Sequence, residues 1–124
     1  MDLDNFKDVN DTYGHIYGDK AMSIVGEVIT KSIRNTDYIG RFGGDEFLLI
    51  CPGAGIKEAS EVAERIRKAL ENHLFILSDE IRLKLTVSIG VHEYSEEDNS
   101  LTDMIKIADK CLYKAKETRN KVVC

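Results

Sequence analysis

The sequence predicts an α+β domain in two layers, a mainly antiparallel central sheet with flanking helices. Three observations carry that expectation. The hydrophobic period is helical across 21–33, switches to strict alternation across 82–91, and is helical again after Ser100. A short apolar segment holding Tyr38, Ile39 and Phe42 is joined through Gly43-Gly44 to the apolar run Phe47-Leu48-Leu49-Ile50-Cys51, the pattern of a β-hairpin. The resulting order is strand, helix, hairpin, helix, strand, helix, strand, which suits antiparallel pairing with helices laid against the sheet.

Taken in order, Met1-Asp2-Leu3 is a strand too short to be stable alone. A strand cut so close to a carboxylate leads to the expectation that upstream residues belong to it. Residues 5–19 are largely polar and read as a loop. In 21–33, Ala21, Ile24, Val25, Val28, Ile29 and Ile33 mark one buried helix face. The Gly43-Gly44 step is expected to be a two-residue turn with positive φ, and Pro52 ends the strand after it. A helix over 57–72 turns Ala59, Val62, Ala63, Ile66, Ala69 and Leu70 inward. Leu83, Leu85, Val87, Ile89 and Val91 then alternate with Arg82, Lys84, Thr86, Ser88 and Gly90, as in one half-buried strand. Ser100 is placed to cap a last helix whose inward stripe is Leu101, Met104, Ile105, Ala108, Leu112 and Ala115, and Val122-Val123 ends the chain as a short strand.

At 124 residues the chain is one domain. Its 43% hydrophobic and 31% charged content is ordinary for a globular protein, and no apolar stretch approaches the roughly 18 residues of a membrane-spanning helix. The expected location is the cytoplasm, with a membrane anchor elsewhere in the parent protein left open. Cys51, Cys111 and Cys124 have no metal-ligand spacing and are expected to be reduced thiols, mostly buried. The net charge of −5 argues against nucleic acid as partner, but not against a nucleotide that arrives with a divalent cation.

The chemistry-bearing residues fall into two groups. Two glycines deliver the adjacent carboxylates Asp45 and Glu46 at a hairpin tip, and Asp2 stands at a strand end with Lys7 close behind. Magnesium takes a few carboxylate oxygens together with substrate phosphates, so Asp2 and Asp45 on neighbouring strands make a sensible pair. Turn chemistry and a solvated charge cluster are the alternative reading of the polar segment. His73 and His92, without carboxylate or cysteine at ligand spacing, are expected at the surface.

Arg41-Phe42-Gly43-Gly44-Asp45-Glu46-Phe47 resembles the signature of the GGDEF domain, the bacterial diguanylate cyclase family. Asp2-Leu3-Asp4-Asn5-Phe6-Lys7, Asn10-Asp11, Gly14-His15 and Gly18-Asp19 match a second pattern of that family at every fixed position. The resemblance implies a nucleotidyl cyclase or polymerase-palm-like fold, and a reaction that condenses two GTP into cyclic di-GMP and two pyrophosphates. It implies magnesium as cofactor, with manganese as the other candidate, and a homodimer in which two half-sites face each other. The family normally carries an upstream helix and the first half of the first strand, so the expected unit is a single domain over 1–124 that lacks both. A non-catalytic domain that binds GTP or cyclic di-GMP is the alternative, and a purely structural or dimerisation role the third.

Residue by residue, the resemblance assigns Asp2 and Asp45 to metal binding, with the Leu3 carbonyl as a further ligand and Glu46 as an additional acid. Asn10 and Asp19 match the guanine readers, while Lys7, Gly44 and the backbone around Asn5 and Phe6 match the triphosphate cradle. His15 is usually structural in the pattern. Lys116 and Arg119 resemble phosphate-binding cations, but the glycine between them is absent. They stand three apart rather than four, a rotation of about 100° if the segment is helical. Arg34-Asn35-Thr36-Asp37 resembles the RxxD product-inhibition site, with Arg65 as a second arginine. A helix-terminal arginine followed by a turn aspartate, and a solvated Arg65, are the plain structural readings.

Overall fold

The first strand, β1 (Asp2–Leu3), has only two residues and is held from both sides. In the computed structural model, which describes all residues Met1–Cys124, Asp2 and Leu3 lie opposite Ser88 and Val87 of an antiparallel neighbour. On the other side Asp2 forms an antiparallel bridge with Glu46, the Leu3 amide donates to the Asp45 carbonyl at 3.1 Å, and the Phe47 amide donates to the Met1 carbonyl at 2.8 Å. Neighbours on both edges supply the backbone pairing that so short a strand cannot provide for itself.

The elements that follow are α1 (Phe6–Tyr13), α2 (His15–Ser32), β2 (Tyr38–Arg41), β3 (Phe47–Ile50), α3 (Ile56–Asn72), β4 (Phe75–Ile76), β5 (Arg82–Leu83), β6 (Val87–Gly90), α4 (Leu101–Thr118) and β7 (Val122–Val123). The β2–β3 hairpin, β1, β6 and β7 run side by side, every pair antiparallel except β6 with β7. A separate antiparallel ribbon joins β4 to β5. The expected α+β architecture is therefore present.

Alternation along the strands sorts the two faces. Leu3, Val87 and Ile89 point into a core shared with Val25 and Ile29 of α2 and Val62, Ile66 and Leu70 of α3. Asp2, Asp4, Ser88 and Gly90 point the other way, under α4. A Cβ at Gly90 would strike the Ala108 carbonyl and the Leu112 backbone, so this glycine lets α4 lie directly on the sheet.

Several expectations are corrected. The polar segment 5–19 is not a loop: Phe6 and Val9 are buried on one side of α1, and α2 begins at His15, six residues before the predicted start. Apolar residues at i and i+3 suffice for an eight-residue helix, and the many polar residues simply occupy its exposed side. The alternating stretch 82–91 is two strands, because β5 pairs with β4 while β6 pairs with β1 and β7. Its polar face is solvated only at the start, where Arg82 and Lys84 are exposed, and Ser88 is fully buried.

The hairpin register sets Arg41 opposite Phe47, leaving a five-residue connection, and neither Gly43 nor Gly44 has positive φ. The connection is closed instead by the Phe42 and Gly43 amides donating to the Glu46 carbonyl at 2.9 and 3.4 Å. Ser100 does cap α4, its hydroxyl accepting the Asp103 amide, yet of the predicted inward stripe only Ala115 is buried, and Leu101 is exposed. All three cysteines are free as expected, but Cys51 and Cys111 are half-buried and Cys124 is exposed.

Candidate active site

The bridge between Asp2 and Glu46 places the acidic residues of β1 and of the hairpin tip next to one another. Burial pushes the Asp2 carboxyl above the ordinary aspartate range, and the charges of Asp45 and Glu46 push the same way against the opposing pull of Lys116. Such crowding of like charge is relieved by a cation. The donor set is oxygen only, two carboxylates and a main-chain carbonyl, and no three carboxylate, imidazole or thiol side chains converge. That suits a hard ion which keeps positions for water and phosphate, and does not suit a closed protein cage. Asp2, Asp45 and the Leu3 carbonyl would hold such an ion.

Arg41 braces the hairpin tip by donating to the Gly44 carbonyl through Nε at 3.2 Å and Nη2 at 2.6 Å. Both glycines are exposed and open to solvent. A Cβ at Gly44 would meet nothing, whereas one at Gly43 would crowd the Glu46 carboxylate at 3.3 Å.

Asn5 has left-handed backbone geometry (φ 57°, ψ 25°) at the start of α1, and no side chain caps that helix. The Phe6 and Lys7 amides therefore find no protein acceptor, and the exposed Lys7 stands beside them. A free helix N-terminus next to a lysine can receive phosphate oxygens. Gly14, at φ 87°, turns the chain between α1 and α2 and brings Asn10 against Gly18, where a Cβ would overlap the Asn10 side-chain oxygen. Asp19, the next residue, is exposed at the same corner. Asn10 of α1 thus packs against α2 at the residue before Asp19.

The cations near the end of the chain part company. Lys116 Nζ donates to Asp4 Oδ1 at 2.8 Å, to the Leu3 carbonyl at 3.0 Å and to the Asp2 carbonyl at 3.2 Å, with Asp2 Oδ1 at 3.4 Å. Arg119 is exposed, and it does not continue the helix. Its φ of 61° and ψ of 171° fall in a region otherwise taken by glycine, so the conformation that the absent glycine would supply is imposed on the arginine itself. The expected rotation of 100° about a helix axis does not apply, because α4 has already ended at Thr118.

Asp4, to which sequence reasoning assigns no role, is the best-connected side chain of the site. It is buried, and accepts from Thr86 Oγ1 and Ser88 Oγ at 2.7 Å each, from Lys116, and from the Asn120 amide at 2.9 Å. Burial would raise its pKa, but these hydrogen bonds outweigh that and hold the carboxyl below the ordinary range. Its partners are 82 to 116 residues away in the chain. The one local clue was that Asp4 shares a strand face with Asp2.

The RxxD residues are joined to each other. Arg34 Nε and Nη2 donate to Asp37 Oδ1 at 3.1 and 2.9 Å, the Arg34 amide donates to Asp37 Oδ2 at 2.9 Å, and the Asp37 side chain has no solvent exposure. Hydrogen bonds from Arg34 hold the Asp37 carboxyl below its usual range. Arg65 Nε donates to the Ser32 carbonyl at 2.7 Å, at the end of α2 two residues before Arg34. His92, expected to stand alone, is paired with the buried Asp98 at 2.9 Å, because the loop between β6 and α4 folds the aspartate back onto it. No helix is long and apolar enough to cross a membrane.

Residues 1–121 match the family model described as "Diguanylate cyclase, GGDEF domain". Diguanylate cyclase A of Treponema denticola is 40% identical over 123 residues, 98% of this chain and 33% of that protein. The uncharacterized protein YhcK of Bacillus subtilis is 38% identical over 124 residues, all of this chain and 34% of that one. The chain thus spans about a third of the length of these curated relatives. Among solved structures, diguanylate cyclase SiaD of Pseudomonas aeruginosa, crystallised with its activator SiaC, superposes with a TM-score of 0.91 at 34% identity, covering 98% of this chain and 46% of that one. The GGDEF domain of DgcB from Caulobacter crescentus, in complex with c-di-GMP, gives 0.90 at 31% identity, covering 98% and 72%.

Proposed function

Because the chain belongs to the GGDEF domain family of diguanylate cyclases, we propose that it condenses two molecules of GTP into cyclic di-GMP and two pyrophosphates. The single observation that carries the reading is the β1–hairpin junction, where Asp2 is bridged to Glu46 and the Leu3 amide is bonded to the Asp45 carbonyl. In each half-reaction a GTP 3′-hydroxyl attacks the α-phosphate of the other GTP. An O3′–P bond forms as the hydroxyl proton passes to solvent, the bond from the α-phosphorus to the bridging oxygen breaks, and pyrophosphate leaves. Magnesium, or manganese in its place, supplies charge neutralisation on the phosphates and lowers the pKa of the attacking hydroxyl.

The chain's own residues hold and orient the nucleotide. Asn10 and Asp19 read the guanine edge, an amide and a carboxylate that adenine cannot satisfy. The uncapped start of α1, with Lys7, receives the phosphates, and Lys116 contributes positive charge beside β1. One domain holds one GTP, so two copies must face each other, and activity rises more steeply than protein concentration. Arg34, Asp37 and Arg65 form the product-inhibition site in this reading, with a guanine competing for the groups that Arg34 and Asp37 now offer each other.

The test is product analysis with GTP and magnesium at several protein concentrations, with Asp45→Ala as control. Cyclic di-GMP and pyrophosphate that vanish in the variant support the cyclase; strict proportionality to protein concentration sinks the half-site arrangement. The exposed, strained Arg119 favours a second reading, a domain that binds GTP or cyclic di-GMP without turnover. Bound GTP with no product at any concentration would select it.

A further inference from the structure

We propose that Asp4 is a positioning residue, which fixes the Lys116 ammonium beside the triphosphate site and ties the end of α4 to β1. The proposal rests on the reading of this site as a GTP site. Its starting point is the use of every donor on Lys116. An ammonium has three N–H groups, and Asp4 Oδ1, the Leu3 carbonyl and the Asp2 carbonyl take all three. Lys116 is therefore a charge held at a fixed point, and only one of its three hydrogen-bonded acceptors is itself charged.

Asp4 in turn cannot move. Its side chain is 1% exposed, and Thr86, just before β6, and Ser88 of β6 each donate to one of its oxygens. The second oxygen also takes the amide of Asn120, whose left-handed backbone (φ 46°) follows the end of α4. The Asn120 side chain is anchored from the far side, with Nδ2 donating to Glu71 at 2.7 Å and Oδ1 accepting from Arg67 at 3.0 Å. One buried carboxylate thus locks β1, β6, α4 and, through Asn120, α3 into a single arrangement around the lysine. A lysine on a flexible four-carbon stem loses much rotamer freedom when ordered, and a fixed counter-charge meets that cost before the nucleotide arrives.

The consequence is selective. Loss of the Asp4 charge should weaken binding of the triphosphate and leave recognition of the guanosine end alone. The experiment compares GTP and GMP affinities, in magnesium buffer by calorimetry, for the wild type, Asp4→Asn, Lys116→Met, the double variant and Ser88→Ala. Asp4→Asn keeps the shape and an acceptor for the hydroxyls. It is expected to lower GTP affinity about tenfold with GMP affinity unchanged, as for the loss of one charge-assisted hydrogen bond. The double variant should be no weaker than Lys116→Met alone, because the two residues act as one unit. Ser88→Ala, which retains the charge, should give a smaller loss in the same GTP-to-GMP ratio, and it serves as the reporter should Asp4→Asn fail to fold.

Equal losses for GTP and GMP, or additive losses in the double variant, would reduce Asp4 to a structural carboxylate and overturn the proposal. Tighter GTP binding by Asp4→Asn would overturn it in the opposite sense, by showing that Asp4 holds Lys116 away from the phosphates. A wild-type protein that binds GTP no better than GMP overturns the nucleotide reading itself, and the assignment with it. A wild-type preference for GTP that both Asp4→Asn and Lys116→Met leave intact overturns the assignment alone.

Discussion

The hairpin tip and the Asp4 cluster both adjoin β1, and they are built on opposite principles. The tip's own loop is closed locally, Arg41 reaching carbonyls two and three residues ahead and the connection closing on Glu46, and it meets the rest of the sheet only where Asp45 and Glu46 pair with β1. At the cluster the contacts span 82 to 116 residues and converge on a buried carboxylate. A local, exposed loop can be opened by a ligand or altered by mutation with little effect on the rest of the molecule. A buried, long-range cluster responds as part of the fold.

The contrast is broken most severely at Gly90. A methyl group there meets the α4 backbone, which has no flexible end to give way, so Gly90→Ala should lift α4 from the sheet and cost about 3 kcal/mol or more. Urea denaturation measures it, and an unchanged midpoint would mean that α4 does not lie where Ala108 and Leu112 are described. Asp4→Ala comes next. Removing the carboxylate leaves Thr86, Ser88 and the Asn120 amide without their acceptor, a loss of about 2–3 kcal/mol.

Acid titration sharpens the comparison within β1 itself. Asp4 has a lowered folded-state pKa, so its contribution is fully present above the unfolded value of 3.8 and is lost as pH falls through the folded value. Asp2 has a raised one, so it costs stability as pH rises from 3.8 through its folded value, and that cost is absent in stronger acid. Melting temperatures should therefore rise for Asp2→Asn and fall for Asp4→Asn at pH 7. The Asp2→Asn difference should close on titration down to 3.8, and the charge-dependent part of the Asp4→Asn difference only below it. Shifts of the same sign at pH 7 would contradict the opposite environments of the two carboxylates.

Smaller effects belong to exposed positions. Arg119→Gly should raise stability by about 1 kcal/mol in thermal melts, because glycine accepts φ 61° and ψ 171° without strain. Destabilisation would mean that the arginine side chain earns more than its backbone costs. Arg41→Ala should change stability by no more than about 0.5 kcal/mol, since its contacts are solvent-exposed. A loss as large as that of Asp4→Ala would erase the distinction between the two regions.

Local chemistry was the legible part of this molecule. The Ser100 cap, the faces of α2 and α3 and the hairpin strands each depend on residues close in sequence, and periodicity and spacing identified them. The α1 helix was hidden because its two buried residues, Phe6 and Val9, are outnumbered by polar ones. The hairpin connection was misjudged because glycine permits positive φ without requiring it.

What only the tertiary structure decided is which polar residues are enclosed. Thr86 and Ser88 alternate with apolar neighbours as solvent-facing residues do, yet Ser88 is fully buried, Thr86 half-buried, and both donate to Asp4. Lys116, expected only as a phosphate-binding cation, is bonded to β1, while Arg119, its expected companion, takes the backbone strain of the helix end. A pattern of polar and apolar residues reports how a segment is shaped and which side is greasy. It does not report what will be packed on the other side, because that is settled by elements up to 116 residues away in the chain, meeting only once the core has closed.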